Sequence, residues 1–281
     1  MANADVTRIA GNIAALNSLY SLQGINSQLA THQARLATGR KLLESADDPA
    51  GMSIATTFDV RRQALKTVLN SIGDAKNVLA TAEGGLKKIQ DILVKVQNKV
   101  LEAKSDTIGA AQRTAIQAQI NAYMSEINDI VDQTQWNGTK LIGGSGSVPG
   151  LDFLTDPLGG QTTYTATDNT AASLGLGTLD VTGASGSAAV SAAEMNSINS
   201  AIDTVKANIA SVGAFSARLS FKEESLSVQH ANTEAAYNRI MNANMAEEQV
   251  ESSKLQILQQ TATAMLAQAN AAPQFVLQLF R

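Results

Sequence analysis

Few residues of this chain have the type and spacing that catalysis or metal binding requires. His32 and His230 are the only histidines, and neither has a second histidine at the spacing of a zinc-binding helix. His32 falls on a heptad position, which favours a packed side chain over a metal ligand. Asp47 and Asp48 stand directly before Pro49, as residues do where a helix is capped and proline takes its first position. We therefore predict no catalytic residue, no cofactor and no metal site.

Three further groups of residues resemble sites but are predicted to be structural. The run Gly143–Ser147 lacks the Gly-Lys-Ser/Thr ending of a phosphate loop and precedes no helical pattern, so we expect a flexible turn. Asn137-Gly138 indicates a tight turn, and we expect Trp136 beside it to anchor that turn against the helices. An acidic group is expected on a solvated face or at a contact with an adjacent copy: Glu247, Glu248 and Glu251.

The composition favours thin helix pairs over a thick globular core. The chain has 281 residues, of which 44% are hydrophobic but only 4% aromatic, so Ala, Leu, Ile and Val supply most of the apolar surface. Paired helices can pack closely on such small side chains. A net charge of −4 without a concentrated basic patch argues against a nucleic-acid groove. There is no cysteine, no apolar stretch near the ~20 residues of a membrane-spanning helix, and no conventional secretory signal in Met1–Tyr20.

Helix-breaking residues are concentrated in the middle of the sequence. Proline-free stretches run from residue 50 to 148 and from 158 to 272, so both flanks are free to form long helices. The middle, about residues 143–192, is rich in Gly, Ser and Thr and has β-prone runs such as Gln161–Thr165. We predict one or two β-hairpins with loops there, and the same composition leaves partial disorder as the alternative.

Both flanks carry an apolar helical repeat. Leu22, Leu29 and Leu36 recur every seven residues, with Ile25 and His32 as the partner series. This heptad pattern is typical of a helix that packs along its whole length on other helices. Near the carboxyl end, apolar residues alternate at steps of three and four, and half of them are alanines, so partner helices can approach closely. The predicted assembly seam comprises Ile9, Ile13, Leu16, Leu22, Leu29, Leu36, Leu255, Leu258, Met265, Leu277, Leu279 and Phe280.

These patterns predict a mainly α-helical fold of long antiparallel helices, with a terminal coiled coil and a small β-hairpin region in the middle. The first and last segments each have a seam too narrow to form a domain alone, so we expect them to pair as one helical hairpin. The large apolar residues at the carboxyl tip need a cover in water. We therefore predict that further copies of the chain close the open seams, so that the protein assembles with itself.

Motifs on both sides of the middle resemble the bacterial flagellin family. Leu36–Lys41 and Ser45–Met52 are similar to its L-S-(S/T)-G-x-(R/K) … A-x-D-D-(A/P)-A-G signature. Thr134–Leu141 has the sequence T-Q-W-N-G-T-K-L, similar to the family's T-x-F-N-G-x-K-L. The opening helix Ile9–Leu22 and the carboxyl segment Glu247–Arg281 complete the resemblance in the family's order, the latter through Leu255–Gln260 and Ala264–Gln274.

The resemblance implies a structural subunit, not an enzyme, that polymerises into the bacterial flagellar filament used for swimming motility. It implies a terminal coiled-coil core domain of residues 1–43 with 242–281. An outer rod-like helical domain of residues 44–241 would contain the hairpin and loop region at about 143–192. The implied partners are other copies of the chain, the flagellar type III export apparatus, an export chaperone and the filament cap protein. The implied location is extracellular, in the flagellum, with no nucleic acid bound and no membrane insertion.

Two other functions remain as alternatives at this point. The junction protein between hook and filament belongs to the same family and shares the terminal motifs, although Thr134–Leu141 and the carboxyl-terminal match favour the filament subunit. A helical enzyme or adhesin would need a convergent polar cluster, and the sequence shows none.

The resemblance also bears on an innate Toll-like receptor, which detects many flagellins through the helix corresponding to Leu93–Glu102 and the facing helix. Where those flagellins carry Arg, Leu and Glu, this chain has Lys95, Lys99 and Gln119. Lysine lacks the planar fork of arginine, Lys99 introduces a charge at an apolar contact, and Gln119 removes a negative partner. We therefore predict weak recognition by that receptor.

Overall fold

The computed structural model describes residues 12–143, 150–182 and 192–279, the last eight of them as backbone. Within these ranges the helices are α1 (Ile13–Thr38), α2 (Pro49–Ala103), α3 (Ala110–Gln133), α4 (Ala192–Met241) and α5 (Met245–Leu279). The strands are β1 (Gln135–Trp136), β2 (Thr139–Lys140), β3 (Leu151–Leu154) and β4 (Gln161–Tyr164), and they form two antiparallel pairs, β1 with β2 and β3 with β4. The prediction of a mainly α fold with a small β region in the middle is confirmed.

The chain divides into two compact units. Met1–Val60 and Asn232–Arg281 form the first, which we call the terminal unit, and Arg61–Ala231 form the second, which we call the central unit. The predicted division after residues 43 and 241 refers to domains of the assembled protein and stays a prediction.

The central unit has a continuous hydrophobic core with a seven-residue repeat. On α2 the repeat is fully buried and comprises Leu65, Ile72, Leu79, Leu86, Leu93 and Val100. On α4 the buried repeat comprises Ile198, Val205, Val212, Leu219 and Leu226. The buried residues of α3 are Ile116, Ile120, Ile127 and Val131. All three helices contribute to one cluster, so their long aliphatic stripes pack in the manner of a coiled coil.

The β region packs on that core through its aromatic residues, and its tight Asn-Gly turn is exposed. Asn137 and Gly138 have φ values of 47° and 79°, the left-handed conformation that a tight Asn-Gly hairpin turn requires. Phe215 of α4 lies against Tyr164 and Phe153, with ring centroids 5.4 Å and 6.1 Å away. Burial in this contact raises the pKa of the Tyr164 hydroxyl.

Amide side chains from the helices hold the loop that follows β4. The buried Asn169 accepts a 2.6 Å hydrogen bond at Oδ1 from Nδ2 of Asn208 on α4. Gln117 on α3 donates to the carbonyl of Leu179 and accepts from the backbone N–H of Val181. The described part of the Gly- and Ser-rich middle is therefore packed against the helices, because polar side chains replace the missing secondary structure as partners of its backbone.

The last flank differs from its sequence pattern at one break. The periodicity predicts one helix over about 191–271, whereas α4 ends at Met241 and α5 begins three residues after Asn242. The backbone of the break bonds to the segment that follows α1. Lys41 N–H donates to the carbonyl of Met241 at 2.7 Å, and Ala243 N–H donates to the carbonyl of Gly39 at 2.9 Å. These long-range bonds replace the helical ones, and no periodicity in the sequence could indicate them.

Candidate assembly surface

The terminal unit is built on the antiparallel pair of α1 and α5. The α1 residues withdrawn from solvent toward α5 recur at steps of three and four: Ala15, Ser18, Leu22, Ile25, Leu29, His32 and Leu36. The corresponding face of α5 has the same spacing: Ser252, Leu255, Gln259, Ala262, Leu266 and Ala269. This is the heptad spacing of a coiled coil. Most of these side chains are only half-buried, so the pair is thin.

Polar contacts fix the register of the pair along its length. Gln259 Nε2 donates to Asn26 Oδ1 at 2.7 Å near the middle of α1. His32 Nδ1 lies 2.5 Å from Glu248 Oε2, and Arg35 adds a longer ion pair of 3.8 Å with the same carboxylate. Each contact joins side chains that meet in only one register, so a slip of one helical turn would break them together.

The three acidic residues of α5 differ in their burial. Glu248 binds His32 within its own chain and is half-buried, so it does not lie on a solvated face, whereas a contact of the acidic group with an adjacent copy stays a prediction. Glu251 is also partly buried and pairs with Lys254 one turn later at 3.1 Å, whereas Glu247 is exposed. The sequence alone does not show that the three glutamates differ in burial, because their burial depends on which face of α5 meets α1.

Asn12 ties the two helices together at the amino end of α1. Helix α5 continues through Pro273, which has no N–H to donate to the carbonyl of Ala269 four residues earlier. That carbonyl instead accepts a 2.7 Å hydrogen bond from Asn12 Nδ2. Asn12 Oδ1 meanwhile accepts the N–H of Ala15 and caps α1. One amide side chain thus begins α1 and pairs with the carbonyl that the proline leaves free.

The segment between α1 and α2 is held by two carboxylates. Asp48 Oδ1 accepts the N–H of Gly51 at 2.9 Å, so the Asp-Asp-Pro sequence caps α2 as predicted. Asp47 Oδ2 accepts the N–H groups of Leu43 and Glu44, and these backbone hydrogen bonds lower the pKa of the Asp47 carboxyl. Both aspartates are therefore occupied by backbone partners. The pair has a structural explanation that needs no metal or proton transfer.

The terminal helix pair presents large apolar side chains to water. On α1 these exposed residues are Ile13, Leu16, Leu19 and Tyr20, and on α5 they are Met245, Val250, Ile257, Leu258 and Met265. A pair of helices has no second layer to cover such faces, whereas a stable domain normally packs one layer on another. Exposed apolar surface on this scale is typical of an interaction site. We call these nine residues the open face of the pair.

The predicted assembly seam is divided between the inside of the pair and its open face. Leu29 and Leu255 are buried, Leu22 and Leu36 are half-buried, and Ile13, Leu16, Leu258 and Met265 are exposed. Ile9 and Phe280, and the side chains of Leu277 and Leu279, lie outside the described residues. Contacts between copies are not part of this structure, so the assignment of the seam to assembly stays a prediction.

Comparison with known proteins identifies the family that has these terminal helices. The bacterial flagellin N-terminal helical region matches residues 9–147, and the bacterial flagellin C-terminal helical region matches residues 195–280. A flagellin of Bacillus subtilis (strain 168) is 32% identical over 98% of this chain and 100% of its own length. The chain belongs to the bacterial flagellin family. As such, it is a structural subunit of the bacterial flagellar filament, which serves motility.

Other relatives agree with this membership, and two solved structures are similar to parts of the chain. A flagellin of Listeria monocytogenes is 27% identical over 95% of this chain and 97% of its own length. A flagellar filament core protein of Brachyspira hyodysenteriae is 28% identical over 97% of this chain and 99% of its own. A candidate flagellar hook-associated protein from Vibrio parahaemolyticus has a TM-score of 0.58 at 14% identity, over 70% of this chain and 100% of its own, and this likeness concerns the fold alone. The crystal structure of Bacillus cereus flagellin covers 60% of this chain and 94% of its own, with a TM-score of 0.49 and 24% identity.

The three positions at which the flagellin resemblance predicts receptor contacts lie on α2 and α3 of the central unit. Lys95 is exposed at the edge of an open cavity of about 500 Å³ that Tyr123 also lines. Lys99 donates to Glu102 at 2.8 Å, and this hydrogen bond raises the pKa of the Lys99 ammonium group. Gln119 is exposed. Each side chain can therefore be changed without opening the flagellin core.

The described residues also bear on metal and membrane binding. Among them, no group of three or more histidine, aspartate or glutamate side chains is placed to hold a metal ion. None of the helices in the described ranges is long and apolar enough to cross a membrane.

Proposed function

We propose that copies of this chain polymerise through the terminal helix pair, that the polymer is extracellular, and that the chain has no catalytic role. The observation that carries the proposal is the open face, whose nine large apolar residues are exposed in the part of the terminal unit that the structure describes. Neighbouring copies would supply the missing layer, since identical seams repeat on every copy. A contact of this kind that does not close on itself produces a filament.

The balance of burial against ordering favours assembly over a stable isolated pair. Helix α1 has one buried residue, Leu29. Burial of apolar side chains is the main term that offsets the entropy lost when a backbone is ordered. Because most of the inner face of α1 is only half-buried, this term is weak in the isolated pair. We infer that the terminal helices become ordered when other copies cover them.

The remaining partners follow from membership of the flagellin family. We propose export through the flagellar type III apparatus with an export chaperone, followed by addition under the filament cap protein. Terminal segments that stay unfolded before assembly suit passage of the chain through a narrow export channel. The proposed core domain of residues 1–43 with 242–281 and the outer domain of residues 44–241 describe the chain in its assembled state.

Polymerisation of the purified chain tests the proposed function. We expect the protein to sediment as a polymer after seeding or salting-out, and electron micrographs to show long homopolymers, because the open face is repeated on every copy. A junction protein, the alternative within the family, would give no long homopolymer. Protein that stays soluble under every assembly condition, with the central unit folded, would refute the proposal.

Limited proteolysis should distinguish the terminal helices of the monomer from those of the polymer. In the monomer we expect cleavage within about the first and last forty residues and protection of α2, α3 and α4, because the thin pair opens at little cost. In the polymer the terminal cuts should disappear. Fragments are identified by mass spectrometry after a short digestion. Equal protection in both states would mean that α1 and α5 already form a stable pair in the monomer.

We also propose that this chain is a weak ligand of the innate receptor that detects many flagellins. The support is the exposure of Lys95 and Gln119 and the engagement of Lys99 with Glu102, which together leave no arginine fork, apolar contact or acid at the corresponding places. The alternative is that these residues have no receptor role and only contact solvent or a neighbouring copy.

A further inference from the structure

The turn between β3 and β4 carries the most exposed large hydrophobic side chain of the described residues. Leu158 is 95% exposed, more than any residue of the open face. It follows Pro157 and precedes Gly159, so it stands alone at the tip of a hairpin within the central unit. A leucine so placed contributes nothing to the folding of its own chain, because it touches almost none of it.

Hydrogen bonds hold the Leu158 turn in one conformation. Asp156 Oδ1 accepts the N–H of Leu158 at 2.7 Å, and the Asp156 carbonyl accepts the N–H of Gly159 at 3.0 Å. Gly159 has a φ of 90°, which a residue with a side chain rarely adopts. The hydroxyls of Thr155 and Thr162 bond across the base of the turn at 2.9 Å. The backbone of a turn fixed in this way loses little entropy when the turn binds.

The central unit also contains an open cavity with an apolar lining. Its volume is about 250 Å³, and its apolar lining includes Val78, Leu141, Leu151, Phe153 and Trp136. Trp136, which the sequence predicts as an anchor of the turn against the helices, is in fact 43% exposed at this cavity. An indole left half in water beside an apolar hollow has unfilled contact surface.

We propose that the Leu158 turn of one copy inserts into the Trp136 cavity of a neighbouring copy in the filament. This proposal rests on the proposed self-assembly and adds a specific contact between central units. The two features are complementary, since one is an apolar projection and the other an apolar hollow larger than a leucine side chain. A projection on one surface that fits a pocket elsewhere on an identical molecule produces an open series of copies rather than a closed pair.

A second copy of the chain fits the cavity better than a small ligand. The cavity lining has one charged side chain, Asp74, and no basic group, so it offers no positive charge to an anionic ligand. Its neutral polar residues, Ser71, Asn137 and Thr139, lie at the wall where they can bond the backbone of an inserted turn. In a polymer the turn of a neighbour is always present at high local concentration, which a free ligand is not.

Disulfide trapping tests the contact directly, because the natural chain has no cysteine. The variants are Leu158→Cys, Ser71→Cys at the cavity wall, and the double variant. Mixed filaments of the two single variants should form a covalent dimer on mild oxidation, and filaments of the double variant should form a ladder of covalent multimers. Each single variant alone is the control and should give no cross-link. Filaments without cross-links, or a double variant that stops at the dimer, would overturn the proposal.

The sole tryptophan gives a second measurement that needs no substitution. Acrylamide should quench the fluorescence of Trp136 in the monomer and lose most of this effect in filaments of the natural chain, since the inserted turn covers the indole. Filaments of Leu158→Ala should regain the quenching, whereas filaments of Phe221→Ala, which removes another exposed apolar side chain of the central unit, should not. Acrylamide is neutral and is therefore not repelled by Asp74. Equal quenching in natural monomer and filament would refute the contact and leave the proposed self-assembly intact, whereas a natural chain that forms no filament would refute the self-assembly.

Discussion

A chain that ends at Met265 is expected to stay monomeric while its central unit remains folded. Removal of Leu266–Arg281 takes away Ala269, whose carbonyl binds Asn12, and Leu266, which faces α1. The loss leaves the amino end of α1 without its tie to α5, so the exposed Ile13 and Leu16 lose the helix beside them. Filament growth needs both helices in place, and we expect the amount of pelleted polymer to fall below detection.

The central unit gives an internal control for this truncation. Its heptads on α2 and α4 are buried without any residue of α5, so circular dichroism should retain most of the helical signal and a cooperative thermal transition. A chain in which Gly and Ser replace the residues after Met265 at constant length separates the loss of the seam from the loss of length. Long filaments from either variant would show that the carboxyl tip has no part in assembly.

The features of the fold that can be predicted from the sequence are those with a local pattern. The inner face of α1 is the predicted series Leu22, Ile25, Leu29, His32 and Leu36, because a heptad repeat in sequence becomes a stripe on a helix whatever its partner is. The cap by Asp48 and the Asn-Gly turn could be predicted for the same reason, since both depend on neighbouring residues only.

The features that the sequence does not predict depend on residues far apart in the chain. His32 and Glu248, or Asn12 and Ala269, meet only because α1 and α5 pair in one register. Proline at 273 would ordinarily indicate a helix end, yet α5 continues through it, with Asn12 as a substitute donor to the carbonyl left free. The seven-residue repeat of α4 from Ile198 to Leu226 was visible in the sequence but was not among the predicted seam residues, and it supports the central core.

The contrast between the two units explains how one chain can be both folded and ready to assemble. The central unit buries long repeats of Leu, Ile and Val, which give it a core of its own. The terminal unit contains small clusters, such as that of Leu42, Ala55 and Met241, and a pair whose inner face is mostly half-buried. Regions with few buried contacts unfold first. We therefore expect a change in the surroundings to affect the order of the terminal helices more than that of the central unit.

Restoring the usual receptor-contact residues is expected to convert this chain from a weak to a strong ligand of the innate receptor. The triple variant Lys95→Arg, Lys99→Leu and Gln119→Glu supplies the planar fork, the apolar contact and the negative partner. Contacts worth about 3 kcal/mol in total change affinity about a hundredfold. We therefore expect the concentration for a half-maximal reporter-cell response to purified monomer to fall by roughly that factor.

The central unit should tolerate the triple variant, so a change in response would report recognition and not folding. Lys95 and Gln119 are exposed, and the ion pair that Lys99→Leu breaks, with Glu102, lies at the surface, where such pairs contribute little to stability. Lys88→Arg is the matched control, because Lys88 lines the same open cavity as Lys95 but lies outside Leu93–Glu102, the stretch that the resemblance assigns to the receptor. A strong response to the natural chain would contradict the prediction of weak recognition. An unchanged response to the triple variant, with its thermal transition intact, would show that other residues limit binding.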